Sequence, residues 1–269
     1  MTRSGAGLKT RLDKLLLARA LAPSRERAQA LILAGRVLVN EQKIEKPGTQ
    51  VAEDVAIRLL GDAMPYVSRG GLKLEHALSH WKIDLRGAVC LDVGASTGGF
   101  TDCMLQAGAA KVVAVDTGYG QIAAALRTDP RVRLMEKTNA RHLEPAQLSE
   151  TIGFIAMDVS FISATLVLPA VLQAAFAGKQ AERRELVLLV KPQFEAGRGQ
   201  VGKGGIVRDD QIRAAAVEKV RVAVQAMGGQ DIELIESPIL GAEGNREFLL
   251  HATFDARYAV EPNSETGKP

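Results

Sequence analysis

The sequence predicts an α/β protein: a doubly wound Rossmann-like sheet with helices on both faces, preceded by a small α+β module. Three observations predict it. Apolar runs at 88–93, 111–116, 132–136, 153–158 and 186–191 alternate with helical segments, the pattern of a parallel sheet. The first run leads into Cys90-Leu91-Asp92-Val93-Gly94-Ala95-Ser96-Thr97-Gly98-Gly99-Phe100, a buried strand ending in an acid and a glycine-rich turn. The first 60 residues follow another rhythm and carry another charge. They hold 11 Lys/Arg against 6 Asp/Glu, a balance of +5; the whole chain is +3, so the remainder sums to −2.

The elements of the N-terminal module can be justified in order. Arg11 to Ala18 places its leucines on one helical face. Pro23-Ser24-Arg25-Glu26-Arg27 restarts the chain with Ser24 as N-cap, and the second helix runs through Ala28, Leu31 and Ile32 to a terminating Gly35. Arg36-Val37-Leu38-Val39-Asn40 alternates as a strand, Lys46-Pro47-Gly48 marks a turn, and Val55 to Leu59 closes a hairpin. Arg11-Leu12-Asp13, Ser24-Arg25, Gly35-Arg36-Val37, Val39-Asn40 and Lys46-Pro47-Gly48 together resemble the alpha-L (S4-type) RNA-binding domain, over about fifty positions. Arg11, Lys14, Arg25, Arg27 and Arg36 are expected to gather around the helix pair and meet phosphates of a structured RNA. The expected boundaries are 1–60 for this domain, 61–66 for a linker containing Gly61, Asp62 and Pro65, 67–256 for the α/β body, and 257–269 for a disordered tail.

In the body, a helix is expected over Ser68–Leu78, and further helices near 98–108, 119–128, 144–150, 163–177 and 208–227. Two late strands, Asp231–Ser237 and Glu247–Phe254, are expected to close the sheet as an antiparallel edge pair. Ligands of such sheets bind beyond the carboxyl ends of the parallel strands. There the glycine turn lacks both the P-loop spacing and the G-x-G-x-x-G of dinucleotide binders, so the cofactor should lack a pyrophosphate. S-adenosylmethionine fits. Asp92, Gly94, Ala95, Ser96, Thr97, Gly98, Gly99 and Phe100 would approach its methionine portion, Asp116 would accept its ribose hydroxyls, and Asn139 would touch its adenine, with Asp158 also at the site.

Strands four and five end in Asp158 and Lys191. An acid and a lysine at adjacent strand ends should face each other across a crevice. That pair suits methylation of a ribose 2′-hydroxyl, a poor nucleophile that must be held in line and stripped of its proton. A methyltransferase acting on an exocyclic amine often carries an Asn/Asp-Pro-Pro-aromatic turn; Asp158-Val159-Ser160-Phe161 has no Pro-Pro.

The body resembles the TlyA family, whose catalytic domain is similar to the FtsJ-type ribose methyltransferases. The matching segments are Tyr66 to Leu74, Asp92 to Thr101, Asp158 to Ser163, Leu189 to Glu195, Gly204 to Val207, and Ser237-Pro238 through Gly244 to Phe248; with the N-terminal module they span 10–254. The resemblance implies a Rossmann-like methyltransferase sheet and a catalytic tetrad on Lys73, Asp158, Lys191 and Glu247. Lys191 is expected to be the central group, assisted by Asp158, with Lys73 and Glu247 shaping its proton affinity and holding the ribose, which makes the role of Glu247 indirect. The resemblance also implies 2′-O-methylation of cytidine in ribosomal RNA within ribosomal subunits, of the large subunit and, for longer members, the small one. The residues ahead of Arg11 and the tail to Pro269 look like those of a longer member. The family also carries the name haemolysin A.

The remaining features bound the alternatives. Apolar content of 46% supplies a core, and no run of about 18 apolar residues predicts a membrane span. The N-terminus has no apolar stretch behind its charge, and Cys90 and Cys103 read as buried thiols, which points to the cytoplasm. Arg69 and the basic glycine-rich loop with Arg198 and Lys203 could also grip RNA. His76 and His80 lie one helical turn apart but lack a third ligand, so no metal is expected. A non-catalytic ribosome-assembly factor and a haemolysin-like activity are the competing readings, and a monomer is compatible with the sequence.

Overall fold

The computed structural model describes residues 9–60, 64–176, 184–202 and 204–255, without the side chains of Arg198 and Ala242. Gly61 and Asp62 of the expected linker, Lys203 and the expected tail lie outside the described residues. The chain divides into two compact units, Met1–Pro65 and Tyr66–Pro269.

The first unit packs α1 (Leu12–Ala18) and α2 (Arg25–Leu33) on short strands. Its core is Leu12, Leu15, Leu16, Ala28, Ile32, Val37, Val39 and Val51. Ser24 caps α2 by accepting from the Arg27 N–H at 3.2 Å. Gly35 (φ +65°) ends the helix: its N–H bonds the Ile32 carbonyl, and the Arg36 N–H bonds that of Leu31, which satisfies two orphan carbonyls. The strands outnumber those expected. β1 (Lys9–Arg11) pairs β4 (Gln50–Ala52), while β2 (Val37–Val39) lies between β3 (Gln42–Lys43) and β5 (Ile57–Leu59). All three β2 residues are buried, so it does not alternate as expected.

In the second unit α3 (Gly70–Trp81) is followed by β6 (Val89–Val93), α4 (Gly99–Gln106), β7 (Lys111–Val115), α5 (Ala124–Arg127), β8 (Val132–Met135), β9 (Phe154–Met157), α6 (Leu168–Phe176) and β10 (Glu185–Val190). Then come α7 (Pro192–Glu195), α8 (Asp210–Ala226), β11 (Gln230–Glu236) and β12 (Phe248–Thr253). Seven strands form one sheet in the order β11-β12-β10-β9-β6-β7-β8. The five from β10 to β8 are parallel, and β12 and β11 complete the other edge antiparallel, as expected. The chain moves outward from β6 through β7 to β8, then returns to place β9 on the other side of β6. That reversal opens a crevice between the carboxyl ends of β6 and β9.

Period-two alternation sorts the strand residues onto two cores. Leu91, Val93, Ile155, Met157, Leu188 and Val190 pack with α6 and α8; Cys90, Val112, Ala114, Phe154, Val187 and Leu189 pack with α3 and α4. Burial on both faces explains the nearly unbroken apolar runs. Cys90 and Cys103 are free, buried thiols, each pushed up to about 12 chiefly by burial.

Three expected helices are shorter. The 119–128 segment keeps only α5, because the loop before it is bonded elsewhere: the Gly120 N–H donates to Glu136 at 2.7 Å. The 144–150 segment is one 3₁₀ turn, Pro145–Gln147. The 163–177 segment opens with a 3₁₀ turn, Ala164–Leu166, before α6 begins ahead of Pro169.

Candidate active site

The crevice between β6 and β9 is built on the glycine turn. Gly94 sits at φ +88°, and a Cβ there would run into the Asp158 main chain, so only glycine lets the β6 turn pass β9. Asp116, after β7, fixes the turn from the other side by accepting N–H bonds from Ser96 at 2.7 Å and Gly118 at 2.6 Å. Each of its oxygens keeps a second acceptor direction for a ligand hydroxyl.

Two cavities of about 260 and 300 Å³ meet at Gly94, Ser96 and Asp158. The larger lobe is lined by Asp116, Thr117, Asn139, Ala140, Val159, Phe161 and Ile162. The smaller is lined by Ser68, Arg69, Lys73, Ala95, Thr97, Gly99, Phe100, Leu240 and Gly241. Asn139 spends its side-chain oxygen on the Arg141 N–H at 3.1 Å, which leaves its amide N–H groups for a ligand acceptor.

Two expected contact residues stand behind this wall. Gly98 (φ +93°) is the N-cap of α4, its space bounded by Ile122 and Leu126, and it lines neither cavity. Asp92 is fully buried and lines neither cavity; its Oδ2 accepts from Thr101 at 2.5 Å, and its Oδ1 has no hydrogen-bond partner among the described residues. Burial pushes the Asp92 carboxyl up to about 7, against the Thr101 hydrogen bond and with help from the Asp158 and Asp116 charges. Because its folded value lies above the unfolded one, the native state holds the extra proton at acid pH, and stability is lost as pH rises through about 7. Asp92→Asn fixes the neutral form. Its stability relative to wild type should grow by a few kcal/mol between about pH 5 and pH 8.5 in urea denaturation. A pH-independent difference would show that Asp92 ionises freely.

The four tetrad positions form two ion pairs. Lys191, after β10, lies with Nζ 2.5 Å from Asp158 Oδ1 and donates to Ser160 Oγ at 2.7 Å. Lys73, in the first turn of α3, lies with Nζ 2.5 Å from Glu247 Oε2. Lys73 and Asp158 line the same cavity, while Glu247 is buried behind Lys73 and beside Gly241, where a Cβ would collide with its carboxylate. Pairing one to one leaves this group of four neutral.

Phe161 was not singled out by the sequence. It is 92% exposed at φ +65°, lines the larger lobe, and rests against Phe194 with ring centroids 5.3 Å apart. An exposed phenylalanine in a left-handed conformation at a site is a functional signal that only coordinates supply.

The basic residues divide. Arg69 lines the smaller lobe and donates to the Leu240 carbonyl at 3.1 Å. Arg198's side chain and Lys203 lie outside the described residues. Arg11 and Arg25, expected at phosphates, converge instead on the fully buried Asp13. Arg11 reaches it at 3.0 and 2.9 Å, Arg25 at 3.0 Å, and Gln29 at 2.9 Å. The Arg11 guanidinium holds the Asp13 carboxyl well below the usual carboxylate range despite burial, with Gln29 and Arg25 assisting. Lys14 is exposed, Arg27 and Arg36 are half-buried, and none of the three is in an ion pair among the described residues. Of the five cations expected at phosphates, they are the freer ones. Among the described residues no group of three His, Cys, Asp or Glu could hold a metal, and no helix is long and apolar enough to cross a membrane.

Comparison with known proteins agrees with this fold. Residues 66–254 match the FtsJ-like methyltransferase family, and residues 10–57 match the S4 domain. A candidate rRNA methyltransferase of Bacillus subtilis, YqxC, is 46% identical over 90% of this chain and 85% of its own. The 16S/23S rRNA (cytidine-2′-O)-methyltransferase TlyA of Mycobacterium tuberculosis is 44% identical over 90% of this chain and 89% of its own. A solved structure from Streptococcus thermophilus, described as a candidate hemolysin, is 42% identical with a TM-score of 0.69, covering 93% of this chain and 90% of that one. With its reversal crevice, paired lysines and acids, and an S4 domain ahead of the catalytic body, the chain belongs to the TlyA family of FtsJ-like methyltransferases.

Proposed function

We propose that the protein transfers a methyl group from S-adenosylmethionine to the 2′-hydroxyl of cytidine in ribosomal RNA, of the large subunit and also the small. The observation that carries this reading is the Lys191–Asp158 pair at the crevice, 2.5 Å apart and bordered by Ser160. The name of the M. tuberculosis relative supports the cytidine and both subunits. The cavity pair fits the cofactor. Gly94 leaves room for close approach, Asp116 has acceptor directions for ribose hydroxyls, and the larger lobe has apolar walls for a purine. When bound, the cofactor supplies an electrophilic methyl on a sulfonium.

The chain's own residues do the rest. Lys191 stands where the 2′-oxygen loses its proton; it stabilises the developing alkoxide or, in its neutral form, accepts that proton. Ser160 accepts a hydrogen bond from the Lys191 Nζ, and Asp158 balances its charge. Lys73 presents its cation to the smaller lobe, which Asp158 also lines, and is held by Glu247. Phe161 offers a ring face on which a base turned out of the RNA can stack. The S4 unit grips RNA through Lys14, Arg27 and Arg36, with Arg69 at the mouth of the site.

Label from methyl-tritiated S-adenosylmethionine should pass into ribosomal RNA in isolated subunits incubated with the protein. Binding of RNA and cofactor without transfer would favour a non-catalytic assembly factor. Asp116→Ala should weaken cofactor binding by about 1–3 kcal/mol in calorimetry, through lost charge-assisted hydrogen bonds and a loosened glycine turn. Unchanged affinity would remove Asp116 from the cofactor site.

A further inference from the structure

We infer that Glu195 is a positioning residue for the target nucleotide: its buried carboxylate clamps the loop carrying Asp158, Ser160 and Phe161 to the turn carrying Lys191 and Phe194, an inference that rests on the function proposed above. The two segments leave neighbouring parallel strands, β9 and β10, and both belong to the proposed chemistry. They meet at three successive places. Lys191 holds Asp158 and Ser160; Phe194 backs Phe161. At the far end Glu195, with its side chain only 2% exposed, accepts the Ala164 N–H at 2.6 Å on one oxygen and the Ser163 hydroxyl at 2.5 Å on the other.

A buried carboxylate must be compensated. Lys219, reaching from α8, supplies the charge: its Nζ lies 3.4 Å from Glu195 Oε2 and donates to the Glu195 carbonyl at 3.0 Å. The clamp therefore ties both site segments to the longest helix of the unit. Phe161 shows why a clamp is needed. At φ +65° it is in a conformation that a bulky residue adopts only when its surroundings impose it, yet its 92% exposure means that its side chain has little packing to hold it. The restraint comes from the chain on either side, Asp158–Ser160 before it and Ser163–Ala164 after it. Releasing the second anchor frees Phe161 to relax and lets Asp158 drift from Lys191, which misplaces a ribose hydroxyl and loosens one wall of the larger lobe, opposite the Asp116 side.

The test uses the full chain. Glu195→Ala should raise amide hydrogen exchange across 159–164 and leave 90–94 protected as in wild type. It should slow single-turnover methyl transfer at saturating RNA and cofactor by roughly 10–100-fold, a loss that saturating cofactor does not restore. Glu195→Gln should recover most of the rate, because it keeps an acceptor for Ala164 and a partner for Ser163. A folded Glu195→Ala protein with unchanged exchange at 159–164 would overturn the clamp, as would equal losses in the Gln and Ala variants. If Glu195→Ala does not fold, Ser163→Ala, which removes one of the two bonds, should give a smaller rise in exchange over the same segment; unchanged protection there overturns it equally. The exchange readout needs no methyl transfer, so failure of the wild type to methylate RNA would sink the proposed function and leave the clamp to be decided by exchange.

Discussion

Lys191→Ala should reduce single-turnover methyl transfer by roughly 10²–10⁴-fold at saturating RNA and cofactor, the range that a positioned acid–base group contributes. The variant removes the cation at the 2′-oxygen and leaves Asp158 without its 2.5 Å partner. The fold should survive, because the Asp158 side chain is 21% exposed and water can take over part of the lost interaction. Cofactor affinity should change little, since Lys191 lines neither lobe. Lys191→Arg should also be poor: a guanidinium is bulkier and cannot accept the proton. A Lys191→Ala enzyme with near wild-type rate would return the pair to the role of a structural salt bridge.

The second large effect is on stability. Glu247→Ala should cost about 3–5 kcal/mol in urea denaturation, because it strands the Lys73 ammonium in a site only 10% exposed. The indirect role expected of Glu247 concerns the rate of methyl transfer; burial of the pair adds a cost in stability. The damage should come from the unpaired charge more than from a lost attraction. Replacing both partners at once, Lys73→Met with Glu247→Leu, should therefore recover much of the stability while activity stays low. A loss below about 1 kcal/mol in the single variant would mean that solvent screens the pair.

Strand ends were the most legible part of this chain. Unbroken apolar runs located β6, β7, β9 and β10, and the polar residues following them, Gly94, Asp116, Asp158 and Lys191, came together as the topology requires. Asp92 was misread although the pattern held the answer: period two sets it with Cys90 on the α3–α4 face, where Thr101 bonds it. Arg11 and Arg25 were misread because an acid at a helix start looks like an ordinary polar position; only packing reveals that Asp13 is buried and draws both guanidinium groups. The strand pair β1–β4 was too short to register as a period. Phe161 and the Glu195 contacts depend on backbone conformation and on loops meeting across strands, which no local pattern encodes.

The most direct test of the central claim is the chemical identity of the product. Ribosomal subunits lacking the modification should be incubated with S-adenosylmethionine and either wild type or Lys191→Ala, and the RNA digested to nucleosides for mass spectrometry. Wild type should yield 2′-O-methylcytidine, and Lys191→Ala almost none. A base-methylated nucleoside, or 2′-O-methylcytidine formed equally by both proteins, would contradict that claim.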